Sequence, residues 1–182
     1  MTRLLLTAAF AVATAMTASP ATFAQDTSNA ERSEVTTERF RDWALRCQSE
    51  GDRRQCSIFQ RLVVQETNQA ALNLVIGFGQ DVEGKQVPIA VFTFPLGIYL
   101  PAGAAIRVDE GEPLRLEIER CINRGCQSAV ALEPAQLEAF KAGREAIVTI
   151  GQDREQAVDL RVSLSGFSAA YDALTAADAR GN

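Results

Sequence analysis

The chain of 182 residues contains no histidine. That removes the commonest general base, the commonest metal ligand and every Ser-His or Cys-His dyad. Tryptophan occurs once and tyrosine twice, too few for the two aromatic girdles of an outer-membrane barrel. A G-x-S-x-G elbow, a P-loop and a dinucleotide fingerprint are all missing. The glycine-rich stretch "GFGQDVEG" has no following Lys-Ser/Thr, so it reads as a hairpin turn.

Long hydrophobic runs are also scarce. The one that stands out, Leu4 to Met16, is 13 residues long and follows the lone basic Arg3 in "MTRLLLTAAFAVATAMTASPATFA". This is the layout of a secretory signal peptide over residues 1–24, with cleavage expected after Ala24 or, as the alternative, after Ala21. A spanning helix needs about 20 residues, and no cysteine lies near the cut to carry a lipid. The expected mature chain is therefore periplasmic or secreted, with no transmembrane segment. Arg3 leaves with the signal, so 17 of the 18 basic residues face 23 acidic ones. That acidic balance argues against nucleic acid as a partner, and the sequence shows no basic cluster beyond "GDRRQ".

What is present is a series of short apolar or alternating runs: "RFRDWALRC", "CSIFQRLVV", "ALNLVIGF", "QVPIAVFTF", "AAIRVD", "LRLEIERC", "CQSAVAL", "EAIVTIG" and "AVDLRVSLS". Their lengths, with Gly, Pro, Asp or Asn between them, predict an all-β dominated fold, an antiparallel β-sandwich or small barrel. One or two short helices interrupt it. "EPAQLEAFKAG" has Pro134 for a first turn, Gly143 for a stop, and Leu137 and Phe140 on one face. "FSAAYDAL" places Phe167, Ala170, Tyr171 and Leu174 on one apolar face, as a flap against the sheet. The expected organisation is a polar, flexible leader over 25–38, a single β-rich domain over 39–176 and a flexible tail over 177–182.

Four cysteines in an exported chain are read first as disulfides. The spacing favours Cys47 with Cys56 and Cys121 with Cys126, each pair inside one hairpin. In "CINRGC" a hairpin sets Cys121 opposite Cys126, Glu119 opposite Ser128, Glu117 opposite Val130 and Leu116 opposite Ala131. Cross-strand Cα atoms about 4.5 Å apart suit a bridge, and Asn123 and Gly125 tolerate the turn. A zinc site needs four converging thiolates, and C-x8-C is poor spacing for it. A redox pair normally has a two-residue spacer. No metal, no cofactor and no catalytic residue is expected. Paired carboxylates remain the alternative, since Asp and Glu alone can run glycoside hydrolysis. Yet Glu117 and Glu119 alternate with apolar neighbours, as on a solvated strand face. Trp43, in phase with Leu45 and Cys47, reads as a core plug.

Taken together, "FRDWALRC", a cysteine nine positions after the first, "FPLGIYLPAG", "CINRGC", "KAGREAIV" and "VSLSGFSAAYDAL" resemble the invasion-associated locus B family of exported bacterial proteins, from about Phe40 to Leu174. The resemblance implies a small, disulfide-containing, β-rich protein of the Gram-negative envelope. It supplies no catalytic residues. The function expected is a non-enzymatic binding or adaptor protein with an unknown protein or glycan partner in the envelope or on a host cell. The alternatives are a carbohydrate-active enzyme and a structural envelope stress protein. The apolar loop "FPLGIYLPAG" is the expected partner surface, through Leu96, Ile98, Tyr99 and Leu100, unless it plugs the end of the sandwich.

Overall fold

A computed structural model describes residues 34–51 and 53–180; the expected signal peptide lies outside them. Among the described residues, eleven antiparallel strands form two sheets. The larger has the order β1-β2-β3-β4-β5-β9-β8, from β1 (Glu34–Phe40), β2 (Trp43–Glu50), β3 (Arg53–Val63), β4 (Ala70–Gln80), β5 (Gln86–Phe94), β9 (Gly125–Ala131) and β8 (Arg120–Ile122). The smaller has the order β11-β10-β6-β7, from β11 (Ala157–Ser163), β10 (Glu145–Gly151), β6 (Ala104–Val108) and β7 (Leu114–Leu116). The helices are α1 (Pro134–Ala142) and α2 (Phe167–Asp178). This is the sandwich architecture expected from the strand pattern; the sheets do not close into a barrel.

Period-2 alternation builds the core. On β4, Leu72, Leu74 and Ile76 are buried while their neighbours are half-exposed, and on β5 Ala90, Phe92 and Phe94 do the same. Ala146, Val148, Val162 and Leu116 of the smaller sheet join them in one apolar cluster. The helix α2 covers the part of the large sheet near β1, β2 and β3, burying Phe167, Ala170, Tyr171, Leu174 and Ala177. That is the flap its i, i+3, i+4 pattern predicts. Phe167 is the hub, with its ring centroid 5.1 Å from Trp43 in an edge-to-face arrangement and 5.3 Å from Phe140 of α1.

Three boundaries differ from the sequence reading. Residues 34–38 of the expected leader lie in β1, paired with β2 from Glu34–Ser49 to Phe40–Trp43. Exposed polar side chains hide this edge strand, because its backbone bonds contribute no hydropathy signal. At the other end, α2 runs through Asp178, and Ala177 is 1% exposed, so the ordered domain continues past residue 176. The run "LRLEIER" is not one strand. Leu116 pairs with Ala104 in the small sheet, and Glu117 and Glu119 are exposed where the chain crosses to the large one. The register Cys121–Cys126 holds, but the expected extension to Leu116–Ala131 does not, since the β8–β9 ladder ends at Arg120–Gln127 and Leu116 pairs with Ala104. The physical reason is that the buried face of Leu116 belongs to β6, and the chain must leave one sheet to reach the other.

Polar groups join the two layers at Ser163, on the edge strand β11. Its N–H donates to Gln60 Oε1 (3.1 Å), and its C=O accepts from Gln60 Nε2 (2.9 Å) and Trp43 Nε1 (2.9 Å). Its hydroxyl donates to Asp42 Oδ2 (2.6 Å). Gln60 is 7% exposed and stands where another strand's backbone would. Three residues on, Gly166 takes φ 90°, and a Cβ there would lie 2.0 Å from the carbonyl oxygen of Phe40. Only glycine lets the chain pass this close and turn into α2.

Replacing Gln60 with leucine keeps the volume but leaves the part-buried Ser163 N–H without its acceptor, while the Ser163 C=O keeps only the Trp43 indole. The expected loss is about 2 kcal/mol or more, read as a lowered denaturant midpoint with an unchanged m-value. Ser128 Oγ, by contrast, is buried without a hydrogen-bond partner. Ser128→Ala should therefore hold or raise stability, by up to about 1 kcal/mol, and a clear loss of thermal midpoint would contradict this assignment.

Candidate interaction surface

The loop after β5 starts from a buried residue, Phe94, and leaves the sheet at Pro95, which has no N–H to continue the ladder. It returns at Tyr99, whose N–H donates to Gly151 O (2.9 Å), and then makes a single 3-10 turn over Leu100–Ala102. The four residues singled out from the sequence separate into two pairs. Leu96 is 58% and Leu100 50% exposed, while Ile98 and Tyr99 are half-buried and Ile98 packs on the core. The segment is thus both plug and rim. Beside it lies a groove of about 350 Å³ whose walls include Val64, Ala71, Leu96, Ile98, Val158 and Leu160.

The cysteines meet as the hairpin register requires. Cys47 and Cys56 are paired across β2 and β3, with S–S 2.06 Å and Cα–Cα 4.0 Å; for Cys121 and Cys126, across β8 and β9, the values are 2.02 and 3.9 Å. Gly125, at φ 134°, is demanded less by the turn than by packing, since a Cβ there would sit 2.2 Å from Phe94 O. The second bridge therefore lies against the start of the exposed loop. Trp43, 1% exposed with its N–H satisfied, is a core residue and no stacking platform.

Two depressions are each lined by two acidic residues: Asp153 and Glu155 in one, where Asp153 Oδ1 accepts from the backbone N–H of Glu155 and Gln156, and Asp109 and Glu145 in the other. Asp109 accepts from the backbone N–H of Arg144 and Glu145, and Glu145 pairs with Arg161 at 2.8 Å. Among the described residues no cluster of three or more Cys, Asp or Glu is placed to hold a metal ion. No helix there is long and apolar enough to cross a membrane.

One feature escaped the sequence reading. Arginines dispersed along the chain converge on the outer face of the large sheet, although the sequence shows no basic cluster beyond Gly51–Gln55. Arg46 and Arg61 alternate out of phase with Leu45 and Cys47 of β2 and with Ile58 and Gln60 of β3, and register places Arg39 of β1 opposite Ala44, in the same phase as Arg46. That phase was a readable signal; only strand pairing shows that they share one surface.

These observations define a two-sheet β-sandwich, stitched by two local disulfides, with an apolar loop displayed at one end. The chain belongs to the family described as "Invasion associated locus B (IalB) protein", which matches residues 43–175. Two invasion protein B homologs, from Brucella abortus strain 2308 and from Brucella abortus biovar 1 strain 9-941, are each 30% identical to it over 140 residues. Those matches cover 76% of this chain and 79% of each relative. The crystal structure of invasion associated protein b from Bartonella henselae superposes with a TM-score of 0.70 at 23% identity, covering 81% of this chain and 99% of that one. It supports the fold.

Two measurements follow from the site. Protein taken from an oxidising compartment should show no titratable thiol when denatured, with peptide maps linking Cys47 to Cys56 and Cys121 to Cys126; free thiols or crossed links would refute the pairing. Burial, reinforced by the neighbouring Asp172 carboxylate, raises the Tyr171 phenol above its ordinary value of 10.0. Its contribution to stability is thus complete below pH 10 and is lost as pH rises through the higher folded value. Alkaline unfolding followed by circular dichroism should be less steep in Tyr171→Phe than in the parent.

Proposed function

We propose that the protein is an exported, non-enzymatic binding or adaptor module of the Gram-negative envelope, working in the periplasm or after secretion and contributing to contact with host cells. The observation that carries this reading is the exposed pair Leu96 and Leu100 on a loop fastened at both ends, next to an apolar groove. Exposed leucines on a preordered loop lose little entropy on docking, which suits them to a protein contact. Family membership and paired cysteines support an extracytoplasmic setting. The names of the Brucella and Bartonella relatives support the host-cell element. A glycosidase built on two carboxylates draws less support, because Asp109 and Glu145 are engaged in structural bonds and Glu117 and Glu119 are spread along an exposed crossover.

The test separates rim from plug. Leu96→Ser and Leu100→Ser should change stability by no more than about 0.5 kcal/mol and reduce partner recovery, whereas Ile98→Ser should cost about 2 kcal/mol. A photo-crosslinking residue at position 96 should yield adducts in intact cells. The same residue at Val82, fully exposed at the far end of β4 and β5, should not. Equal labelling at both positions, or none at 96, would reject the loop as the contact surface.

A further inference from the structure

The outer face of the large sheet is ordered in rows. Strand register sets Arg61, Asn73, Thr93, Gln127 and Arg120 side by side across β3, β4, β5, β9 and β8. At about 4.8 Å per strand, this polar row spans about 19 Å with an arginine at each end. Parallel to it runs an apolar row of Phe59, Val75, Val91 and Ala129, which Arg39 on β1 prolongs through Ala44. A third row sets Arg46, Ser57, Gly77 and Ile89 in line. The three rows contain no aspartate or glutamate, although the chain as a whole carries 23 acidic against 18 basic residues. Among the described residues, Arg39, Arg46 and Arg61 take part in no ion pair.

The face is also relieved rather than flat. One depression of about 640 Å³ is lined by Arg61, Asn73, Val75, Thr93, Arg124 and Gln127. A second, of about 520 Å³, is lined by Arg46, Gln55, Ser57, Gly77, Ile89 and Val91. Gly77 keeps the second open, because its missing side chain would project outward between Ser57 and Ile89.

From this arrangement we infer that the outer sheet face binds an acidic polysaccharide whose sugars carry carboxylates. Guanidinium groups at the margins take carboxylates in bidentate fashion. The amide and hydroxyl side chains between them match sugar hydroxyls, and Val75, Val91 and Ile89 on the floor receive the apolar faces of the rings. Other polyanions fit less well. Nucleic acid carries a charge about every 1.7 Å along a duplex and calls for denser cations, and single strands want several exposed aromatic platforms where this face offers Phe59. A bilayer surface offers no ring hydroxyls to the amide and hydroxyl side chains that line the depressions beside the arginines. An acidic peptide gains most of its affinity by pairing with a sheet edge, whereas β3, β4, β5 and β9 are interior strands with occupied ladders.

The surface extends the binding-module reading to a second site, and the two fail separately. Calorimetric titration of the disulfide-intact protein with oligogalacturonate should show binding that weakens as salt rises. The fully methyl-esterified oligomer should not bind. Arg61→Ala combined with Arg46→Ala should weaken binding about tenfold or more, the effect of losing a charge-assisted hydrogen bond, with an unchanged thermal midpoint. Leu96→Ser should leave the titration as it was. Amide shifts on adding the oligomer should fall on Asn73, Val75, Gly77 and Thr93. Equal binding of the methyl ester, of polyglutamate, of duplex DNA or of anionic vesicles would overturn the proposal, as would arginine variants that bind like the parent, or a titration abolished by Leu96→Ser.

Discussion

Ser163 is held on both its backbone groups and on its hydroxyl by side chains from the opposite layer, and the remaining architecture follows from that attachment. Apolar packing between sheets is nondirectional and would tolerate some sliding of one layer over the other. The Gln60 amide and the Trp43 indole remove that freedom, because a displaced small sheet would leave buried donors and acceptors unsatisfied. Once β11 is fixed, the chain emerging from it must turn at Gly166 against Phe40. Phe167 then enters the aromatic cluster with Trp43, Phe140 and Tyr171, and α2 lies down over β1 to β3. Two segments about 120 residues apart in sequence thereby become neighbours.

The same attachment leaves the large sheet's other side uncovered. Both helices and the small sheet are spent on the inner face, so β2 to β5 and β9 display every second residue outward. In an acidic protein this exposed side is where basic and amide side chains collect, while the apolar loop after β5 occupies the end of the sandwich. The disulfides belong to the large sheet alone: one joins β2 to β3 and the other holds the short edge strand β8 to β9. Each closes a short loop, so its effect on overall stability is modest on the loop-entropy argument. Its local effect is to fix register at the two ends of the sheet.

Several features were legible in the residues. Alternation marked the buried faces of β4 and β5, the i, i+3, i+4 pattern marked α2, and cysteine spacing within turn-rich segments pointed to local pairs. Other features were not legible, for identifiable reasons. Residues 34–38 form a strand through backbone bonds alone, and "LRLEIER" divides between two sheets because alternation reports burial, not which neighbour supplies it. At the loop, composition identified an apolar segment but could not say which leucines face water; its anchoring to Gly151 decides that Leu96 and Leu100 do.

By itself, the sequence determined the class of fold, the family, the cysteine pairs and the lack of histidine chemistry, all of which depend on residue type and short-range spacing. Only the tertiary structure decided that Gln60 and Trp43 meet Ser163, that Leu116 leaves the hairpin for the other sheet, and that Arg39, Arg46, Arg61 and Arg120 share one face. Those relations depend on strand order and register. A single chain segment cannot specify them, because hydrophobic alternation assigns a residue to a face without naming the strand that will lie beside it.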